Sequence, residues 1–446
     1  MRIAVVGTGI SGLSAAWLLD RAGHKVTLFE QNTYIGGHSN TVAAPLIGGG
    51  SQPVDTGFIV FNEATYPNLI ALLRVLEVPT LATDMSFAVT LDQGRLEYSG
   101  SNLVGMFAQR RNLLKPSYYL MLRDIVRFYR EAPSLLDNPR EEDLSLGDYL
   151  TAKAYGKRFI DQHLLPMAAA IWSCPTDQML AFPARSFVQF FRNHGLLELK
   201  NRPRWHTVVG GSRAYVDRMV EHFGGTLHQG SKVSAIQRFA DGVLVDSSGG
   251  RREVFDHVII GAHADQALAM LTDASREERR ILGAFRYQPN RAILHRDPSL
   301  MPKRRRAWAA WNYLATSAQT AARVSVTYWM NKLQGIDRRH PLFVTLNPLN
   351  EPAPDLKIAE FHYEHPVFDQ NAIAAQGRIG SIQGVQRVWF CGAYMGYGFH
   401  EDGLSAGLAV AEAFGAKRPW VVRDASPAGR HATPQDVSIR TADKTS

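Results

Sequence analysis

The sequence predicts an α/β chain in which a second, α+β domain is threaded through a parallel-sheet domain. Three observations carry this. The chain has 446 residues, too many for one ordinary core. An apolar strand at Ile3–Val6 runs directly into a glycine-rich turn and a helix of small residues. Strand–helix patterning then returns at residues 208–272 and 388–414, separated by stretches of different character.

The first element is Gly7-Thr8-Gly9-Ile10-Ser11-Gly12, followed by a helix through Leu19, a stop at Gly23 and a second strand, Val26–Phe29, ending on Glu30. Strand, GxGxxG, helix and an acid about 20 residues on form the Rossmann-type dinucleotide fingerprint. Gly7 allows the tight turn, Gly9 lets a pyrophosphate reach the backbone, and Gly12 lets helix and strand pack closely. The N–H groups at Ile10 and Ser11 open a helix whose positive end favours that pyrophosphate. Glu30 can accept both hydroxyls of an adenosine ribose and would repel a 2′-phosphate, which disfavours NADP.

The residues after Glu30, Gln31 through Thr41, include Gly36-Gly37-His38. They resemble the E-x(5)-GG-[RH]-x-x-T extension of FAD enzymes in the flavin amine oxidase, protoporphyrinogen oxidase and phytoene desaturase superfamily. The resemblance implies FAD as cofactor and an amine oxidase-like fold: a Rossmann-type FAD-binding domain with an interleaved α+β substrate domain. It implies cofactor contacts at Gln31, Gly36 and Gly37, and at Thr56 and Gly57 of a D-x-G element. Asp55 in that element reads equally as a turn cap. His38 stands where the family often has Arg, and is a weaker, pH-dependent donor.

Residues 208–272 continue the pattern, with Gly210-Gly211 before a helix at 214–222, then alternating runs that suggest antiparallel strands. In relatives the segment matching Lys232-Val233-Ser234 holds adenine through its main chain, so Val233 is the implied contact. Near the end, VWFCGAYMGYGFHEDGLSAGLAVAEAF (388–414) reads as a strand, a glycine turn and a helix opening near Leu404. The resemblance places Gly392, Ala393, Gly403, Leu404 and Ala406 against the cofactor, where a helix N-terminus stabilises charge on the flavin ring. Ala393 departs from the family, which usually carries an acid there. Glu401 and Asp402 are candidates to compensate, or equally to cap the helix. His400 and Glu401 are the expected proton acceptors. Tyr394 and Tyr397 are candidates for the flavin face, with core packing as the alternative.

Only one complete GxGxxG occurs, which suggests that electrons come from the substrate rather than from NAD(P)H. Cys174 and Cys391 match no metal spacing and suit a reducing compartment. No metal site is expected. Lys332 is the one candidate for the lysine that many amine oxidases keep near the flavin. The strand that starts at once leaves no room for a signal peptide, and no apolar run is long enough to span a bilayer. A cytoplasmic protein is expected, with peripheral contact on the inner face of the membrane.

The FAD-binding domain is expected at 1–90, 205–290 and 385–422, the substrate domain at 91–204 and 291–384, and a disordered tail at 423–446. The substrate stretches are apolar and aromatic, which suits a greasy substrate. The formal charge is +8. Two segments suggest a lipid surface. In KPSYYLMLRDIVRFYRE, Leu122, Ile125, Val126 and Tyr129 share one helical face and Arg123, Arg127 and Arg130 another. Lys303–Arg306 precede Trp308 and Trp311. No nucleic-acid recognition fold is present. GFIVFN, the IWS-containing helix and CGAYMGYGFHEDG further resemble a bacterial branch linked to cyclopropane, methyl and furan fatty acid synthesis. That resemblance implies desaturation of a methylated acyl chain. The alternatives are an amine or isoprenoid oxidase, and an FAD-holding non-catalytic partner of a lipid methyltransferase. The oligomeric state has no signature in the sequence.

Overall fold

The computed structural model describes residues 1–138, 144–172, 176–198, 202–316 and 325–422. The Cys174 position and the expected tail lie outside these residues. Within them the chain builds two large sheets.

The first is a five-stranded parallel sheet in the order Thr226–His228, Lys25–Phe29, Arg2–Val6, His257–Ile260 and Val388–Phe390. Its two central strands are short and continuously apolar because both faces are covered: Ile3, Ala4, Val5, Val258, Ile259 and Ile260 are fully buried. The Ile10–Arg21 helix follows the first strand, and the chain reverses at Gly23, whose φ of +83° suits glycine. A three-stranded antiparallel sheet, Val233–Arg238, Val243–Ser247 and Arg251–Phe255, is inserted before the fourth parallel strand, matching the alternation read in the sequence.

The second sheet has seven strands, in the order Lys357–Val367, Arg286–His295, Phe343–Leu346, Ser325–Trp329, Trp311–Ala315, Phe87–Leu91 and Leu96–Ser99. Two of these strands precede the helical stretch, and five lie in sequence between the fourth and fifth strands of the parallel sheet. Their ends fall a few residues outside the expected limits of 91 and 291. The helices between residues 103 and 193 share one core with this sheet.

The Pro116–Glu131 helix corrects one expectation. Its buried face is Tyr118, Met121, Ile125, Phe128 and Tyr129, whereas Val126 is exposed and Leu122 only half-buried. The face read as lipid-binding is therefore largely core. The last helix begins at His400, not near Leu404, and runs to Ala413. Glu401 and Asp402 thus lie in its first turn.

Candidate flavin site

The Ile10–Arg21 helix starts at Gly9, with no side chain capping its first N–H groups. A Cβ on Gly9 would meet nothing within 4 Å, so open space stands in front of these donors. Gly7 (φ +96°) and Gly12 are different: a Cβ on Gly7 would come 2.8 Å from the Gly261 carbonyl, and one on Gly12 would overlap the Gly7 carbonyl. Gly9 is the glycine facing space, and its neighbours are the glycines of close packing. Ile10 and Ser11 are nearly covered, so only their main chain is presented.

Glu30 is buried at the end of the second strand. Its carboxylate accepts the Thr8 N–H at 3.0 Å, the Thr8 hydroxyl at 2.5 Å and the Asn32 N–H at 2.8 Å. The acid is thereby held against the glycine turn. Gln31 beside it is exposed. The Glu30 carbonyl accepts the Ser231 N–H at 2.6 Å, which brings the segment leading to Val233 alongside. Val233 itself is buried at the start of its strand, consistent with a side chain in the core.

The second glycine pair lies against the first. A Cβ on Gly37 (φ +58°) would come 3.0 Å from the Gly9 Cα, and one on Gly57 would overlap the His38 carbonyl. Thr56 donates its hydroxyl to the Asn40 carbonyl at 3.0 Å and lies 2.8 Å from the Tyr363 hydroxyl. Asp55 is buried and accepts from Thr41, from the Ser212 amide and hydroxyl, and from Gln334. Burial pushes its carboxyl up to about 6 against those bonds. Asp55 is thus a joint between loops, the turn-type role.

His38 is half-buried, its ring tilted 5.0 Å from Tyr363 and 5.4 Å from His365. Tyr363 and His365 alternate on the Lys357–Val367 strand, so the seven-stranded sheet meets the glycine loops here. Burial, with His365, His263 and His400 nearby, holds the His38 imidazole well below its usual range. His38 is therefore neutral at pH 7, not the cation that an Arg would be. Its Nε2 is buried and lacks a hydrogen-bond partner among the described residues.

In the closing segment, Gly392 carries an extended backbone, and a Cβ there would strike the Tyr394 ring. Ala393 is half-buried. Tyr394 turns into the core against Phe285 at 4.9 Å, so it is a packing residue rather than a wall of the site. Tyr397 is partly buried with its ring 5.7 Å from Phe190, which itself stacks on Phe399 and His194. Asp402 accepts the Tyr397 and Phe399 N–H groups at 3.0 and 2.8 Å and fixes the turn.

The expected roles of His400 and Glu401 need correction. Glu401 Oε1 accepts the Asn68 amide at 2.8 Å and Oε2 the Leu69 amide at 2.9 Å. Both oxygens thus cap the Pro67–Val75 helix, a different helix from their own. Burial pushes the carboxyl up to about 8, and the three N–H bonds from Asn68 and Leu69 hold it on that helix start. His400 stacks on Phe58 at 3.8 Å and lies 2.7 Å from the Tyr215 hydroxyl. Burial pushes its imidazole down to about 3, too weak a base for proton abstraction at neutral pH. Both residues position the helix start.

The small residues of the closing helix also have a more specific reason. A Cβ on Gly403 would come 2.8 Å from the Ser11 hydroxyl, and one on Gly407 would overlap the Ser11 carbonyl. These glycines let the closing helix lie directly on the glycine-turn helix. Leu404 is buried in the shared core and Ala406 packs at its edge. The Lys332 ammonium is committed to Asp84 at 3.2 Å and Ser86 at 3.0 Å. Sequence reading missed Tyr363 and His365. The alternation Phe361-His362-Tyr363-Glu364-His365 was their one available signal.

The open space before Gly9, the carboxylate at the second strand end and the orphaned His38 nitrogen together fit FAD. The chain belongs to the family of flavin-containing amine oxidoreductases, whose pattern matches residues 10–296. Membership in this family, with the residues above, supports FAD as the cofactor. AofH of Mycobacterium tuberculosis, named as a flavin-containing monoamine oxidase, is 27% identical over 260 residues, covering 56% of this chain and 54% of AofH. The chain thus spans about half the length of that curated relative. Among solved structures, putrescine oxidase bound to putrescine aligns with a TM-score of 0.66 at 16% identity, covering 94% of this chain and 100% of the other. A fatty acid isomerase from P. acnes that produces CLA aligns with a TM-score of 0.64 at 14% identity, covering 92% and 97%. At such identities these likenesses concern the fold alone.

Proposed function

We propose that this protein removes a hydride from a C–H bond of an apolar substrate, and that the substrate is a fatty acyl chain of a membrane phospholipid, desaturated by loss of a hydride to bound FAD and of a proton to solvent from adjacent carbons. When bound, FAD supplies the two-electron acceptor. The observation that carries the reading is the neutrality of the surroundings. His400 is buried and His38, His194 and His365 are half-buried, and desolvation lowers all four imidazoles, His194 and His365 to about 4, His400 to about 3 and His38 well below its usual value. The nearby buried carboxylates, Asp55 and Glu401, are spent on backbone amides. Phe190, Phe399 and Tyr397 add aromatic surface. Such a site gives a charged substrate no counter-ion, which suits a hydrocarbon chain.

This chain's own residues then have defined work. The N–H groups after Gly9 would hold the pyrophosphate of FAD, and the carboxylate of Glu30 would accept the adenosine ribose hydroxyls. The first turn of the His400–Ala413 helix, fixed by Asp402, directs its positive end inward. Tyr215 and Ser39 hold His400, and through it the turn above.

The test is anaerobic titration of the purified holoprotein with vesicles carrying mono-unsaturated, cyclopropane or methyl-branched chains, followed by flavin absorbance. Bleaching by one lipid class is expected. A flavin bleached by amines or isoprenoids and untouched by every lipid would replace the acyl reading. A flavin bleached by nothing would favour the non-catalytic alternative.

A further inference from the structure

We propose that a face built from the Leu103–Met106 turn, residues 110–114 and the outer side of the Pro116–Glu131 helix docks this protein on an anionic phospholipid bilayer. Leu114 is 88% exposed, Leu103 78%, Val104 62% and Leu120 52%, with Leu113 and Tyr119 also exposed. No other stretch of the described chain displays large apolar side chains so densely. Scattered exposed leucines need no explanation, but a cluster does. The cluster is held in place: the Tyr119 hydroxyl donates to the Leu113 carbonyl at 2.9 Å, and the Tyr118 hydroxyl to the Met106 carbonyl at 2.6 Å.

Beside it lies a cleft of about 580 Å³ lined by Arg110, Arg111, Arg304, Arg305 and Arg306. Arg304 pairs with Glu97 at 2.7 Å. Among the described residues none of the other four has a carboxylate partner, and Arg305 rests on the Trp308 ring at 4.2 Å. Apolar side chains beside unpaired guanidinium groups match the two layers of an anionic membrane surface, acyl chains below and phosphates above. A nucleic acid would satisfy the arginines and leave the leucines in water. A second copy would bring like charges together. Of the two segments picked out in the sequence, only the outer side of the helix and the arginines belong to this face: Ile125 and Tyr129 are core, and the Trp308 indole donates to the Pro302 carbonyl at 2.7 Å. The docking face stands whichever substrate is oxidised.

Flotation of the holoprotein with phosphatidylcholine vesicles, with and without phosphatidylglycerol, tests it, with flavin absorbance confirming folding. The wild type should float with the anionic vesicles alone. L114D/L120D and R110E/R306E should each lower the partition coefficient by about tenfold or more, and both pairs are at the surface and leave the flavin site untouched. Three results would overturn the proposal: no flotation of the wild type, unchanged flotation of L114D/L120D, or a self-association without vesicles that L114D/L120D abolishes.

Discussion

Gly9 and Gly407 lie on the two sides of one helix start, and replacing each by alanine should have opposite consequences. A Cβ on Gly407 overlaps the Ser11 carbonyl and the Ser14 hydroxyl. Ordinary contact needs about 3.5 Å, so the two helices must part by an ångström or more, and a carbonyl oxygen in a helix cannot rotate away. Overpacking of this kind costs about 1–3 kcal/mol. In a chain this long, that corresponds to a melting point lower by about 1–3 °C. A Cβ on Gly9 meets no protein atom within 4 Å, and its φ of −59° is open to alanine. The apoprotein of G9A should therefore melt with the wild type. The added methyl stands in the space assigned to the pyrophosphate, so FAD affinity should fall about ten- to a hundredfold with the charge-assisted bonds it displaces. The assay is thermal unfolding of flavin-stripped protein, followed by fluorescence titration with FAD. An apo G9A that melts several degrees low, or a G407A that melts with the wild type, would refute the division between a binding and a packing glycine.

Other expectations follow from the same structure. Arg238 and Glu278 form a buried bidentate pair at 2.9 Å, and Arg238 also holds Asp273 at 2.9 Å, so Glu278→Ala should cost about 1–3 kcal/mol in urea unfolding by leaving buried guanidinium N–H groups without acceptors while the charge keeps Asp273; a loss under about 0.5 kcal/mol would place the pair in solvent. His400→Gln should reduce substrate-driven flavin bleaching by less than about tenfold, because a positioning residue is only partly replaced; abolition of bleaching would restore a proton-accepting role. Stability should fall as pH drops below about 6.5, the unfolded histidine value. His163 and His400 are held down to about 3, and His194, His295 and His365 to about 4, so the unfolded chain binds protons that the folded one refuses. Asp55 and Glu401, held up to about 6 and about 8, act in the opposite sense over their own range but are outnumbered. Urea midpoints flat from neutral pH to pH 5 would contradict this.

What the sequence disclosed was what depends on local backbone. Gly7, Gly9 and Gly12 with Glu30 announce a turn whose geometry fixes their types, and Gly36-Gly37 does the same for its partner loop. Contacts across hundreds of residues leave no such trace. Glu401 caps a helix more than 300 positions earlier, a partner no spacing rule can name. Gly403 and Gly407 read as making room for a cofactor, whereas the room is filled by another helix. The phase of the Pro116–Glu131 helix was lost because apolar residues surround it almost entirely. The arginines at 123, 127 and 130 mark the outer side, but Leu120 and Val126 share it. Asp124, buried among apolar neighbours and accepting the Gly156 N–H at 3.0 Å, inverts the usual cue.

The parallel sheet draws its strands from residues 2–6, 25–29, 226–228, 257–260 and 388–390. At the ribosome, the glycine turn therefore emerges early and waits for its covering helix. At typical elongation rates the interval between Gly12 and Gly407 lasts roughly 20–80 s. Throughout it, one side of the helix behind the strand at 2–6 is bare, and the strand's free edge waits for residues 257–260. Flavin capture is consequently a closing event of biosynthesis, and a ribosome that stalls before the final helix releases a chain that cannot seal its nucleotide turn.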